Sequence, residues 1–105
     1  MLFLCSRNRL RSPTAEQVFA NWPGIETASA GLNTGADVPL TADLLRWADL
    51  VFVMERRHRS KLSSQFRAAL DRQRVVCLDI PDNYAFMEDA LIALLKRKVP
   101  PHLPR

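Results

Sequence analysis

Cys5 and Arg11 are separated by five residues in the segment Cys5-Ser6-Arg7-Asn8-Arg9-Leu10-Arg11-Ser12. A thiol and a guanidinium so placed could act together on an anion, the sulfur as nucleophile and the planar fork as a clamp for two oxygens. The spacing alone carries little, because 12 of the 105 residues are arginine and chance pairs at this distance are common. Context carries more. The apolar run Met1-Leu2-Phe3-Leu4 precedes the cysteine, and Pro13-Thr14-Ala15-Glu16 opens a helical pattern after it. A loop between strand and helix can turn the N–H groups of Ser6, Arg7, Asn8, Arg9, Leu10 and Arg11 onto a phosphate, with the helix N-terminus adding positive potential. The same field favours the thiolate, the reactive form. Ser12 is placed to cap the helix and Pro13 to fill its first position, while Glu16 falls one residue late for a capping box.

Displacement at phosphorus also needs an acid to protonate a phenol or alcohol leaving group. Two carboxylates in the second half, Asp79 and Asp82, are the candidates. Asp79 could instead cap a strand end, and Asp82 could be a turn residue after Pro81.

The elements that must position these groups follow from hydrophobic patterning. Apolar runs of strand length alternate with amphipathic segments. Leu2–Leu4, Ile25–Ser29, Leu50–Met54 and Val75–Leu78 are the expected strands, and Leu50–Met54 is the clearest central one. Helices are expected over Pro13–Trp22, from Thr41 or Asp43 through Trp47, over His58–Leu70 and over Ala85–Lys96. The last has Glu88 and Asp89 near its start and Lys96, Arg97 and Lys98 at its end, which suits the helix dipole. This alternation predicts an α/β fold with a four-stranded parallel sheet covered by helices on both faces. Ligands of such sheets bind outside the carboxyl ends of the strands. That rim would gather Cys5, Ser29-Ala30-Gly31, Met54-Glu55-Arg56 and the stretch from Asp79 to Tyr84.

The length fits one domain over residues 1–98, followed by an irregular, proline-rich basic tail over 99–105. No segment approaches membrane-spanning length, and the first apolar run is too short for a signal-peptide core. Two cysteines, one of them apparently catalytic, fit a reducing cytoplasm and are too few for a metal cluster. The net charge of +4 favours anionic partners.

The block Cys5-Ser6-Arg7-Asn8-Arg9-Leu10-Arg11-Ser12-Pro13-Thr14-Ala15-Glu16 resembles the phosphate-binding loop and first helix of the low-molecular-weight protein tyrosine phosphatases. Ser29-Ala30-Gly31 is similar to that family's turn after the second strand, and Asp49-Leu50-Val51-Phe52-Val53-Met54 to its third strand. The resemblance implies a phosphomonoesterase, acting on phosphotyrosine in protein through a phosphocysteine on Cys5. It implies Arg11 as the phosphate clamp, Asn8 as the shaper of the loop with a left-handed backbone, and Ser12 as a hydrogen-bond donor to the sulfur. Inorganic phosphate would be the product, and no metal or organic cofactor is implied. The family's acid loop reads Asp-Pro-Tyr; its nearest counterpart here is Asp82-Asn83-Tyr84, which ranks Asp82 above Asp79. Leu10 stands where many members carry a second loop cysteine, and the second half is shortened. Arg7 and Arg9 make the loop more basic than usual, as a substrate more anionic than a lone phosphotyrosine would require.

Other residues have plainer expectations. Tyr84 walls the substrate pocket or packs under the last helix. Cys77 is a core residue of its strand, His58 a solvated surface histidine, and Trp22 and Trp47 core residues at helix ends. Arg56-Arg57-His58-Arg59-Ser60-Lys61 is a charged helix start that could face the rim. Two further functions remain in view. One is a catalytically weak phosphate-loop module binding a phosphoprotein or RNA, motivated by Arg7, Arg9, Arg56, Arg57 and Arg59; nucleic acid is disfavoured because no aromatics interleave with them. The other is an arsenate reductase relaying a disulfide, which would require Cys5 and Cys77 to meet.

Overall fold

The four short strands pair side by side, and the two central ones are buried on both faces. In the computed structural model, which describes residues 1–70 and 73–103, they are β1 (Leu2–Cys5), β2 (Ala28–Gly31), β3 (Leu50–Val53) and β4 (Arg74–Cys77). All pairings are parallel and the order is β2-β1-β3-β4. The connecting helices are α1 (Arg11–Phe19), α2 (Ala42–Trp47), α3 (Arg56–Gln65) and α4 (Asp89–Lys98). Alternation of side chains divides the interior in two. Phe3, Cys5 and Phe52 face one layer with Ala15 and Phe19 of α1 and Leu91 and Leu95 of α4. Leu2, Leu4, Val51 and Val53 face the other, with Leu45 of α2 and Leu62 of α3. Phe3 stacks between Phe19 and Phe52, at centroid separations of 5.9 and 5.2 Å, and anchors β1 at the centre of the first layer. Among the described residues, no helix is long and apolar enough to cross a membrane.

The α/β architecture is the one the patterning predicts, and its boundaries differ where tertiary contacts intervene. Strand β2 begins at Ala28 rather than Ile25, because the Ala28 amide donates to Met1 O and residues before it lie beyond the start of β1. Helix α4 begins at Asp89 rather than Ala85. The chain turns at 85–88, where the Ala85 amide donates to the Glu88 carboxylate, the Met87 amide donates to Thr14 Oγ1, and Met87 has φ 58°. A left-handed residue cannot sit inside a helix. Thr41 caps α2 by accepting from the Leu44 amide. Helix α3 is followed by a 3₁₀ turn over Arg67–Ala69.

The expected irregular tail is ordered as far as Leu103. Val99 is fully buried, Pro100–His102 forms a 3₁₀ turn, and the His102 ring stands edge-on to Phe52. Pro104 and Arg105, the rest of that tail, lie outside the described residues. The two tryptophans are not core: Trp22 leans on Phe19 with 37 % of its surface exposed, and Trp47 is 43 % exposed at the end of α2. Helix ends overhang the edge of the sheet, so an aromatic there meets only part of the interior.

Candidate active site

Strand β1 delivers Cys5 to the carboxyl edge of the sheet, where the chain wraps back before entering α1. Asn8 makes the wrap, with φ 57°, the left-handed conformation that asparagine tolerates better than most residues. Its Nδ2 donates to Ser12 Oγ at 3.0 Å, and Ser12 Oγ lies 2.9 Å from Cys5 Sγ. With one lone pair engaged by Asn8, the serine has its hydrogen available for the sulfur, so the buried thiol sits beside a donor. Ser12 is therefore not a helix cap. Helix α1 already starts at Arg11 with Leu10 flanking it, which places the serine inside the first turn. Pro13 follows as the third helical residue, still where no intrahelical partner for an N–H exists.

The amides of Arg7, Asn8, Arg9 and Leu10 make no hydrogen bond among the described residues. A run of unpaired N–H groups around a cavity is a cradle for an anion. Its carbonyls, by contrast, are tied down: Cys5 O accepts from the Leu32 amide, Ser6 O from Asn33 and Arg7 O from Asp37, at 2.9–3.0 Å. The post-β2 loop thus clamps the outer side of the cradle. Gly31 allows that approach, since a Cβ there would collide with the Ala36 side chain and come within 2.8 Å of Ser6 O. Glu16, the expected near-miss for a capping box, instead accepts from Ser29 Oγ and joins α1 to β2.

Arg11 is a cation buried to 2 % exposure, and the fold supplies its counterions. Its Nη1 donates to Glu55 Oε2 at 2.7 Å and to Ile80 O at 2.8 Å. Asp82 Oδ1 stands 3.6 Å from Nε. The two anchors consume Nη1 and leave the Nε–Nη2 edge without a hydrogen bond among the described residues, which is the bidentate edge of a guanidinium. Glu55 also accepts from Arg57 Nη2 at 2.8 Å. Hydrogen bonds from Arg57 and Arg11 hold its carboxyl down to about 2, so it stays ionised between the two cations.

His58 is buried, contrary to the expected solvated position. Helix α3 starts at Arg56 with Glu55 as its N-cap, and the reciprocal capping contacts of Glu55 and His58 turn residue 58 inward over the loop. Its Nδ1 accepts from the Glu55 amide at 3.1 Å. Burial, then repulsion from Arg11 and Arg57, pushes the imidazole down to about 4. The neutral ring therefore carries its proton on Nε2 and donates to Ser6 Oγ at 3.0 Å. Sequence reasoning placed Glu55 on the rim without a role and left His58 in solvent, so it missed both as neighbours of Arg11 and Ser6. The available signal was that Glu55 is the only carboxylate in the basic stretch from Met54 to Leu62, at the end of a central strand.

Cys5, Ser6, Arg11, Asn33, Arg57 and Asp82 share the wall of a cavity of about 510 Å³, which Arg7, Arg9 and Leu10 complete. Of the two candidate acids, Asp82 is at this wall and Asp79 is not. Asp79 has φ 54° and lies near Cys77 Sγ and Arg56, on the outer flank where Glu55, Arg56 and Pro81 line a separate depression. Tyr84 is half-buried and packs against the first core layer instead of lining the cavity. Arg9 pairs with Asp37 at 3.2 Å on the rim.

No protein-family model and no curated protein sequence matches the chain. Solved structures do. The phosphate complex of the tyrosine phosphatase Wzb from Escherichia coli K30 superposes with a TM-score of 0.75 at 25% identity, over 92% of this chain and 90% of that one. The Erwinia amylovora tyrosine phosphatase AmsI gives 0.71 at 26% identity, over 99% and 92%. The YwlE arginine phosphatase from Geobacillus stearothermophilus gives 0.73 at 24%, over 91% and 87%. A YwlE variant with serine in place of a cysteine, carrying a phosphorylated active-site serine, gives 0.72 at 26%, over 91% and 90%. The chain has the fold of the bacterial low-molecular-weight tyrosine phosphatases and resembles them over more than 90% of its length.

Within this phosphatase the second cysteine stands apart from the loop. Cys77 is on β4, two strands from Cys5, and packs on the opposite face of the sheet. Two strand spacings are roughly 9.5 Å, beyond disulfide reach, and the Cβ vectors diverge. A disulfide relay from Cys5 to Cys77 is thereby excluded, and with it the two-thiol arsenate reductase.

Proposed function

We infer that the chain is a cysteine-dependent phosphomonoesterase that hydrolyses phosphotyrosine in protein. The observation that carries this reading is the buried Cys5–Ser12–Asn8 triangle under a ring of unpaired amides, with the free edge of Arg11 and the carboxylate of Asp82 at the same cavity. Cys5 Sγ attacks phosphorus as the thiolate, with Ser12 donating to it. The P–O bond to the leaving group breaks, and Asp82 gives that oxygen its proton. The cradle amides and the Nε–Nη2 edge of Arg11 stabilise the equatorial oxygens, where the charge of the transition state lies. Water then attacks the phosphocysteine with Asp82 as base, releasing inorganic phosphate and regenerating the thiolate. Glu55 holds Arg11 in register from behind and His58 holds Ser6.

Phosphoarginine is the second substrate to be tested, because arginine phosphatases stand among the similar structures. Release of phosphate from phenyl phosphate, a phosphotyrosine peptide and a phosphoarginine peptide tests the reading. Turnover of the first two is expected, with Cys5→Ser lowering it by at least about 10⁴-fold. No turnover of any of the three by folded wild-type protein would sink it and leave the weak binding module.

A further inference from the structure

Beside the catalytic cavity, on the side of the post-β2 loop, is a second cleft of about 460 Å³ that shares Arg7, Arg9 and Asn33 with it. Thr34, Gly35 and Lys61 complete most of its wall. Its charge is unbalanced. Arg9 has Asp37 as a counterion, but the guanidinium of Arg7 has no hydrogen bond or ion pair among the described residues. Lys61 is half-buried and its only partner there is the neutral Asn33 Oδ1, at 2.8 Å. Two uncompensated cations in one concave space raise the local concentration of anions, and the partial burial of Lys61 limits the screening of its charge by salt, while Arg7 is exposed. The cleft is also held in shape. The Asn33 and Asp37 amides bind the carbonyls of Ser6 and Arg7, and Gly31 permits the close packing beneath. An anion bound there stays in register with a phosphoryl group over Cys5.

Resting on the phosphatase reading, we propose that this cleft is a specificity subsite for a second anionic group, a carboxylate or a phosphate, carried within about two residues of the phosphorylated side chain. Residues two apart in an extended peptide point the same way about 7 Å apart, which matches neighbouring cavities sharing a wall. A peptide is favoured over RNA because the cleft is a bounded pocket and no aromatic side chain lines it for base stacking.

The test compares four phosphotyrosine peptides, with Glu, a second phosphotyrosine, Gln or Ala two residues away, in wild-type protein and in Lys61→Gln and Arg7→Gln. Glutamine at 61 keeps a donor for Asn33 and removes only the charge. The acidic peptides are expected to have about tenfold higher kcat/KM than the Gln peptide at low salt. The preference should fall toward one in either variant and at 0.5 M salt, with phenyl phosphate turnover by Lys61→Gln unchanged. The larger of the two acidic preferences names carboxylate or phosphate as the ligand. Equal kcat/KM for acidic and neutral peptides, or a preference untouched by both substitutions, overturns the proposal while leaving the phosphatase intact. Calorimetry with non-hydrolysable phosphonate peptides reads the cleft independently of turnover. Loss of all turnover with retained acidic preference in binding would overturn the catalytic reading alone. An oligonucleotide displacing the acidic phosphonate peptide at equal affinity would overturn the peptide assignment.

Discussion

At the amino edge of the sheet, Met1, Ile25, Trp47 and Leu50 line a cavity of about 640 Å³ whose charged rim is Glu26 and Asp49. At the carboxyl edge, Cys5, Ser6, Arg11 and Arg57 line one of about 510 Å³. The larger cavity is the chemically empty one. It offers an exposed tryptophan, two solvated carboxylates and the amino group of Met1, which is tied to Glu26 O, and no thiol or guanidinium among its walls. The smaller one holds a buried thiol, a buried guanidinium and a row of unpaired amides. The difference lies in direction. Parallel strands deliver their last residues, and the following helices their positive N-termini, to one edge only. Volume marks where chain ends overhang, whereas unpaired donors mark where an anion belongs.

The comparison breaks most decisively at Arg11. Arg11→Lys keeps the charge and loses the planar edge, and kcat/KM for phenyl phosphate should fall by about 10³-fold, read by steady-state kinetics. Retention of more than a tenth of wild-type activity would mean the guanidinium merely balances Glu55. Asp82→Asn should lower kcat for phenyl phosphate by about 10²-fold and cost less for p-nitrophenyl phosphate, whose leaving group needs less protonation. Asp79→Asn should stay within about threefold of wild type; the reverse ranking would move the acid to the outer flank.

A smaller effect is expected in stability. His58 titrates near 4 in the folded protein and near 6.5 when unfolded, so the unfolded chain takes up the proton first. Stability is therefore whole above about pH 6.5 and declines as pH falls to about 4, by at most about 3 kcal/mol. Glu55, held at about 2, adds a further loss below its ordinary range of 4.5. Urea midpoints at pH 7, 5.5 and 4 should show this decline in wild type and a shallower one in His58→Gln. Smallest of all, Trp47→Ala at the amino edge should change kcat/KM by less than about twofold, since it touches nothing at the other end of the strands. A tenfold loss there would erase the contrast between the two edges.

The loop was legible because its chemistry is local. Cys5, Asn8, Arg11 and Ser12 lie within eight residues, and a strand and a helix recognisable from periodicity flank them. The α/β order and the two-sided packing were legible for the same reason. Ser12 was misassigned as a cap because a hydroxyl at a helix start has two uses, and only the positions of Cys5 and Asn8 choose between them. His58 was misplaced because four of the five flanking residues from Arg56 to Lys61 are cationic, which mimics a solvated face. Nothing in that run states that Glu55 would cap the helix and rotate the ring onto Ser6.

What the sequence determined by itself is the reacting pair and the scaffold. A thiol and an arginine at fixed spacing between a strand and a helix can form an anion cradle, because amides, helix dipole and guanidinium are set by bonds and short-range geometry. What only the tertiary structure decided is which distant groups complete that cradle. Glu55 reaches Arg11 across 44 positions, His58 reaches Ser6 across 52 and Ile80 O reaches Arg11 across 69. Those pairings arise from the order β2-β1-β3-β4, which sets β3 beside β1 and carries its carboxyl end to the loop. Strand order is a property of the packed sheet, and no local pattern in a single strand encodes it.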